Sequence, residues 1–156
     1  MVILGLDPGY AALGYGVIKK EGSKISAMAF GVIKTGAKTS FPKRLVEIAE
    51  GVGEIIKKYK PELVAIEKLF FFKNQKTAID VSQARGAIVL KVAEHHLPVK
   101  EFTPLEVKQA LTGYGRADKR QMQEMVKILF GLKTIPKPDD AADALAIAYA
   151  GGVWRR

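Results

Sequence analysis

The residues Val2-Ile3-Leu4-Gly5-Leu6 carry no polar side chain, and the run stops at Asp7-Pro8-Gly9. An apolar run of this kind predicts a strand covered on both faces. Gly14-Tyr15-Gly16-Val17-Ile18 and Ile25 to Ile33 predict two further strands, with Glu21-Gly22 marking the hairpin turn between them. Short links make these three strands antiparallel neighbours. The period then changes. Leu45, Ile48, Ala49, Val52, Ile55, Ile56 and Tyr59 recur at helical spacing as one stripe, which Pro61 ends. Leu63-Val64-Ala65-Ile66 is a fourth, buried strand. A helix between strands implies a crossover, so this strand should run parallel to the first.

A second helix is expected from Asn74 to about His96, where Ser82, Ala84, Gly86 and Ala87 mark a face against which something packs closely. Val99 to Phe102 predicts a fifth strand. Thr103-Pro104-Leu105-Glu106 reads as a capped helix start with proline at its first position. Asp118 to Phe130 and Asp139 to Ala150 predict two more helices, the first capped by Asp118 with Gln121 three residues on. The expected architecture is α/β: a five-stranded mixed sheet, three antiparallel strands followed by two parallel ones, with helices on both faces. There is no repeat and no linker, so residues 1–156 are read as a single domain.

Charge changes this picture more than composition does. Twenty-five Lys and Arg against 16 Asp and Glu leave a net charge of +9. That surface suits a polyanion such as nucleic acid, although a solvated lysine-rich surface accounts for the number equally well. The absence of cysteine excludes disulfides and thiolate metal sites and suits a reducing cytoplasm. The uncharged stretch from Ala144 to Trp154 is far short of the roughly 20 residues a membrane helix needs. The first acid comes too early for a signal peptide.

Most acids have local explanations. Glu47, Glu50 and Glu54 lie on or beside the solvent face of the first helix, Glu106 and Asp118 cap helices, and Glu62 precedes its strand. Four do not. Asp7 ends the first strand and Glu67 the fourth, so a crossover that sets those strands side by side makes them neighbours at the carboxyl end of the sheet. Asp140 and Asp143 share a helical face with the core-type residues Ala144 and Ile147. Asp7 could serve only its Asp-Pro-Gly turn, and Asp139 and Asp140 could simply cap their helix, but capping explains Asp143 poorly. Buried-face acids are costly unless paired, protonated or bound to a cation. Four convergent carboxylates without cysteine or a suitable histidine point to hard cations, Mg²⁺ or Mn²⁺. Two such ions can activate water and stabilise a leaving oxygen in phosphodiester hydrolysis.

Five blocks in order carry a resemblance: Asp7-Pro8-Gly9 with Gly14-Tyr15-Gly16; Ala65-Ile66-Glu67 with Phe70; Gln83-Ala84-Arg85-Gly86; Lys108-Gln109; and Asp140-Ala141-Ala142-Asp143-Ala144-Leu145-Ala146. Together they resemble the RuvC family of bacterial Holliday junction resolvases, across about residues 2 to 150. The resemblance implies an RNase H-like fold and a homodimeric, Mg²⁺-dependent endodeoxyribonuclease acting in recombination and repair. Such an enzyme cuts two strands of like polarity in a four-way DNA junction and leaves nicks a ligase can reseal. Carried over residue by residue, the catalytic, metal-binding acids are Asp7, Glu67, Asp140 and Asp143, holding two Mg²⁺ with Mn²⁺ as a substitute. Asp139 is also helically adjacent to Asp143, but the motif register favours Asp140. Phe70 matches an aromatic that stacks on an unpaired base. Lys108 and Lys119, with Arg116 and Arg120 nearby, match a basic lining for phosphate. Tyr10 departs from the small polar residue usual after Asp-Pro-Gly. The RuvA–RuvB branch-migration complex, a cytoplasmic setting and no membrane partner are further implications. Sugar kinases and actin-like ATPases begin with a similar strand turn, but they need a second lobe to enclose ATP. A junction-binding module without activity and a relative acting on RNA are the other readings.

Overall fold

The computed structural model describes residues 1–9, 11–69 and 75–154, without the side chains of residues 75 and 76. The chain runs β1 (Val2–Asp7), β2 (Ala12–Glu21), β3 (Lys24–Lys34), α1 (Phe41–Tyr59), β4 (Leu63–Glu67), α2 (Gln75–Glu94), β5 (Val99–Phe102), α3 (Pro104–Thr112), α4 (Lys119–Leu129) and α5 (Asp139–Val153). The sheet order is β3-β2-β1-β4-β5. β1, β2 and β3 pair antiparallel, while β4 runs parallel to both β1 and β5. This is the mixed sheet that the change from short links to a helical crossover requires.

β1 is apolar throughout because both its faces are covered. Leu4 and Leu6 join Val17, Val64 and Ile66 under α1 and α2, where Ile48, Val52 and Ile88 are fully buried. Each such aliphatic side chain taken from water is worth about 1.5–3 kcal/mol. Ile3 on the other face joins Ile18, Ala65 and Phe102 under α3, α4 and α5.

α5 lies closest to the sheet, and three glycines are the reason. A Cβ on Gly5 would stand 2.2 Å from the Ala144 carbonyl oxygen, one on Gly14 2.2 Å from that of Asp140, and one on Gly16 2.7 Å from the Leu145 amide nitrogen. Gly5 and Gly16 face each other across β1 and β2. They form a notch that only a helix of small residues such as Ala144 and Ala148 can enter so far.

Several boundaries differ from the sequence pattern. β2 and β3 extend through Lys19, Lys20, Glu21 and Lys24, because ladder hydrogen bonds continue past the apolar run. α1 begins at Phe41, with a proline in its first turn, and closes on Lys60 in the left-handed region at φ 48°. The capping boxes at Thr103 and Asp118 form as expected. In α2 the small residues do not act together. Ala84 is fully buried, but Gly86 is exposed and a Cβ there would meet nothing within 4 Å among the described residues.

Candidate active site

Side chains alternate along a strand. With Leu6 turned toward α1 and α2, Asp7 therefore faces α5. The same alternation on β4 turns Ile66 to one side and Glu67 to the other. Leu6 and Ile66 are register partners, so Asp7 and Glu67 emerge next to each other at the carboxyl end of the parallel pair. On the other flank Asp7 is paired with Gly14, against which the backbone of Asp140 packs. One helical turn on, Asp143 meets Asp7 and Glu67 in a cleft of about 270 Å³. α3 supplies Lys108 and α4 supplies Lys119 to the same cleft, over an apolar floor that includes Val107, Met122 and Ile147.

The electrostatics follow from this crowding. Asp7 is pushed well above the ordinary carboxylate range, first by burial and then by Glu67, Asp143 and Asp140, with Lys119 opposing. Glu67 is pushed up to about 7 by burial and by Asp143. Burial also raises Asp143, against the pull of Lys119. The Lys119 ammonium lies 3.0 Å from Asp139 and 3.8 Å from Asp143. Its own pKa rises chiefly through the hydrogen bond to Asp139.

Asp7, Glu67, Asp143, Lys108 and Lys119 line this one cleft; Asp140 does not line it, but its backbone packs against Gly14 and its charge acts on Asp7. Arg116 is exposed in the turn before α4 and does not line the cleft. Phe70 and Tyr10 lie outside the described residues. The capping role considered for the first aspartates of α5 is not taken: Pro138 is the N-cap, with no side-chain cap bond. Asp139 instead pairs with Lys119 and, at 3.5 Å, with Lys137. Sequence reasoning missed that pairing, since Lys119 and Asp139 sit at the starts of different helices. It also missed the glycine notch, whose signal was present as glycines at alternate positions on paired strands.

Among the described residues, no group of three or more acid or histidine side chains already stands in an arrangement that would hold an ion. The donor set nevertheless suits a hard divalent cation. It is all carboxylate oxygen, and Asp7 and Glu67 are raised first by burial and then by the neighbouring carboxylates crowded with them away from water.

A family model described as Crossover junction endodeoxyribonuclease RuvC matches residues 3–150. The Crossover junction endodeoxyribonuclease RuvC of Petrotoga mobilis is 51% identical over 156 residues, covering all of this chain and 96% of that protein. The solved structure of Thermus thermophilus RuvC superposes with a TM-score of 0.89 at 37% identity, covering 97% of this chain and 93% of that one. T. thermophilus RuvC in complex with a Holliday junction substrate matches with a TM-score of 0.88 at 36% identity, over the same shares of the two chains.

Proposed function

The chain belongs to the RuvC family of crossover junction endodeoxyribonucleases, and from that premise we propose that the cleft around Asp7 is where it hydrolyses phosphodiester bonds at the crossover of a four-way DNA junction. The observation that carries this reading is the meeting of Asp7, Glu67 and Asp143 with Lys108 and Lys119 in one cleft of a chain of net charge +9. Carboxylates alone would repel a phosphate. With cations between, the same acids attract it.

Asp7, Glu67, Asp140 and Asp143 would hold the metal, two Mg²⁺ per site with Mn²⁺ as a substitute. Bound there, the metal would supply Lewis acidity, making water a better nucleophile and offsetting charge on the leaving oxygen. The residues of the chain do the rest. The parallel pairing of β1 and β4 sets the Asp7 and Glu67 carboxylates side by side. Lys108 and Lys119 bind the phosphate and offset the charge that develops as the bond breaks. Lys119 is already drawn to the cleft by Asp143 and steadied by Asp139. Arg116 would contact backbone phosphate outside the cleft, and Phe70 would stack on an unpaired base.

One cleft cuts one strand, and paired incision calls for two clefts related by a twofold axis. The outer face of α1 and α2 supports such pairing: Val46 and Leu90 are exposed there in a shallow groove with Leu45, Ala49 and Ala87, edged by Lys91 and Glu94, and Ile79 is exposed elsewhere on α2. Gly86, where a Cβ would meet nothing within 4 Å among the described residues, lies on the same helix. Residues 1–156 are taken as one nuclease domain working in the cytoplasm, with the RuvA–RuvB complex as its partner. Among the described residues no helix is long and apolar enough to cross a membrane.

The test is cleavage of an end-labelled four-way junction, beside linear duplex of the same sequence, in Mg²⁺, Ca²⁺ or EDTA. Paired, religatable nicks on the junction in Mg²⁺ alone are expected. Tight junction binding with no cutting in Mg²⁺ or Mn²⁺ would refute the enzymatic reading.

A further inference from the structure

Arg85 belongs to a sequence block, Gln83-Ala84-Arg85-Gly86, that the cleft does not use. Its neighbours on α2 show which side of the sheet it occupies: Ala84 and Ile88 are buried with Leu6 and Ile66, on the face away from α5. From there the Arg85 side chain, only 20% exposed, reaches two groups. Its Nε donates to the backbone carbonyl oxygen of Glu67 at 3.4 Å. Its terminal nitrogen donates to the carboxylate of Glu101. Glu101 lies on the edge strand β5, directly opposite Ile66. One residue further, the Lys68 amide still donates to the Phe102 carbonyl at 2.7 Å, so β4 stays tied to β5 just past Glu67.

We propose that Arg85 is a positioning residue for the reaction: by bridging the Glu67 carbonyl and Glu101, it fixes where β4 ends and so where the Glu67 carboxylate stands on the opposite face. Arg85 acts through the backbone, because the sheet separates it from the cleft. A guanidinium suits the task. Its planar fork can hold two acceptors in fixed directions, which a lysine ammonium on a flexible stem does not. The link is needed because β4 has only five residues and its outer neighbour β5 only four. The strand end carrying Glu67 thus has little ladder beyond it to hold it still. Groups that orient a functional side chain without touching substrate typically change activity or metal affinity by about 10- to 100-fold when removed.

The inference rests on the proposed nuclease reading, and its test separates the two. Arg85→Met, Arg85→Lys and Glu101→Gln are compared with the unaltered chain in three measurements. Cleavage of a synthetic four-way DNA junction in Mg²⁺ gives kcat and KM. Calorimetry gives Ca²⁺ affinity without DNA. Amide exchange is followed at Lys68 and at the core amides of Leu4 and Val64. For Arg85→Met we expect kcat to fall at least about tenfold, with KM for the junction within about twofold. Ca²⁺ binding should weaken several-fold and Lys68 should exchange faster, while Leu4 and Val64 remain protected. Arg85→Lys and Glu101→Gln should shift the same quantities less. Unchanged kcat and Ca²⁺ affinity in Arg85→Met would overturn the proposal. So would losses accompanied by equal loosening at Leu4 and Val64, which indicate a general structural role. If the unaltered chain does not cut the junction, the nuclease reading fails, and Ca²⁺ affinity with Lys68 exchange still decides the role of Arg85.

Discussion

Gly14 stands directly opposite Asp7 across β1 and β2, and the backbone of Asp140 occupies the space its side chain would fill. The carboxylate at the end of the sheet and the acidic start of α5 are neighbours because that position has no Cβ. A packing decision and the electrostatics of the site are therefore the same decision.

Gly14→Ala should break both together. Its Cβ would meet the Asp140 carbonyl at 2.2 Å, and a backbone atom in a sheet-packed helix cannot swing aside. Overpacking of this kind costs about 1–3 kcal/mol. Urea unfolding should show that loss, and junction cleavage should fall more than stability alone explains as α5 is pushed outward. Unchanged unfolding would mean that the helix has room to shift.

Asp7→Asn should separate function from stability. Cleavage should drop by about three orders of magnitude or more, with junction binding largely kept. The metal-free fold should become more stable, because the substitution removes a carboxylate that burial, Glu67, Asp143 and Asp140 all disfavour in its charged form. A gain of about 1 kcal/mol corresponds to roughly 2–4 °C in Tm for a chain of this size. Calorimetry in EDTA checks the sign.

The same crowding predicts how stability varies with pH. Folded Glu67 keeps its proton up to about pH 7, whereas an unfolded glutamate releases it near 4.5. Between those values the folded state binds more protons, so stability falls as pH rises. The loss starts near pH 4.5 and is complete above about 7. Asp7 contributes with the same sign. From the Glu67 shift alone the effect is bounded at about 3 kcal/mol. Tm in EDTA should decline from pH 5 to pH 8, with a shallower slope for Glu67→Gln. Added Mg²⁺ should restore stability at the alkaline end.

Leu90→Glu and Ile79→Glu place charge on an apolar face that is already exposed, so the fold should survive them. Sedimentation should then report monomers for both variants against a dimer for the unaltered chain. If both variants stay dimeric, the copies meet elsewhere.

Much of this fold is legible in the chain itself. Elements whose cause is local could be read directly: the doubly covered β1, the α1 stripe with its stop at Pro61, and the capping boxes at Thr103 and Asp118. The order of links was enough to predict antiparallel and then parallel pairing, and with it the meeting of Asp7 and Glu67. Other features depend on groups far apart in sequence. Lys119 joins Asp139 across two helix starts, and Arg85 holds Glu67 from behind the sheet. Gly86 reads as a close-packing glycine and is exposed, whereas Gly5, Gly14 and Gly16 read as ordinary strand residues and set the height of α5. The difference is physical. Periodicity, capping and turn chemistry are settled within a few residues of backbone, and the sequence by itself determines them. How closely a helix approaches a sheet, and which charges then share a cleft, depends on atoms brought together only by the finished packing, and the tertiary structure alone decided those.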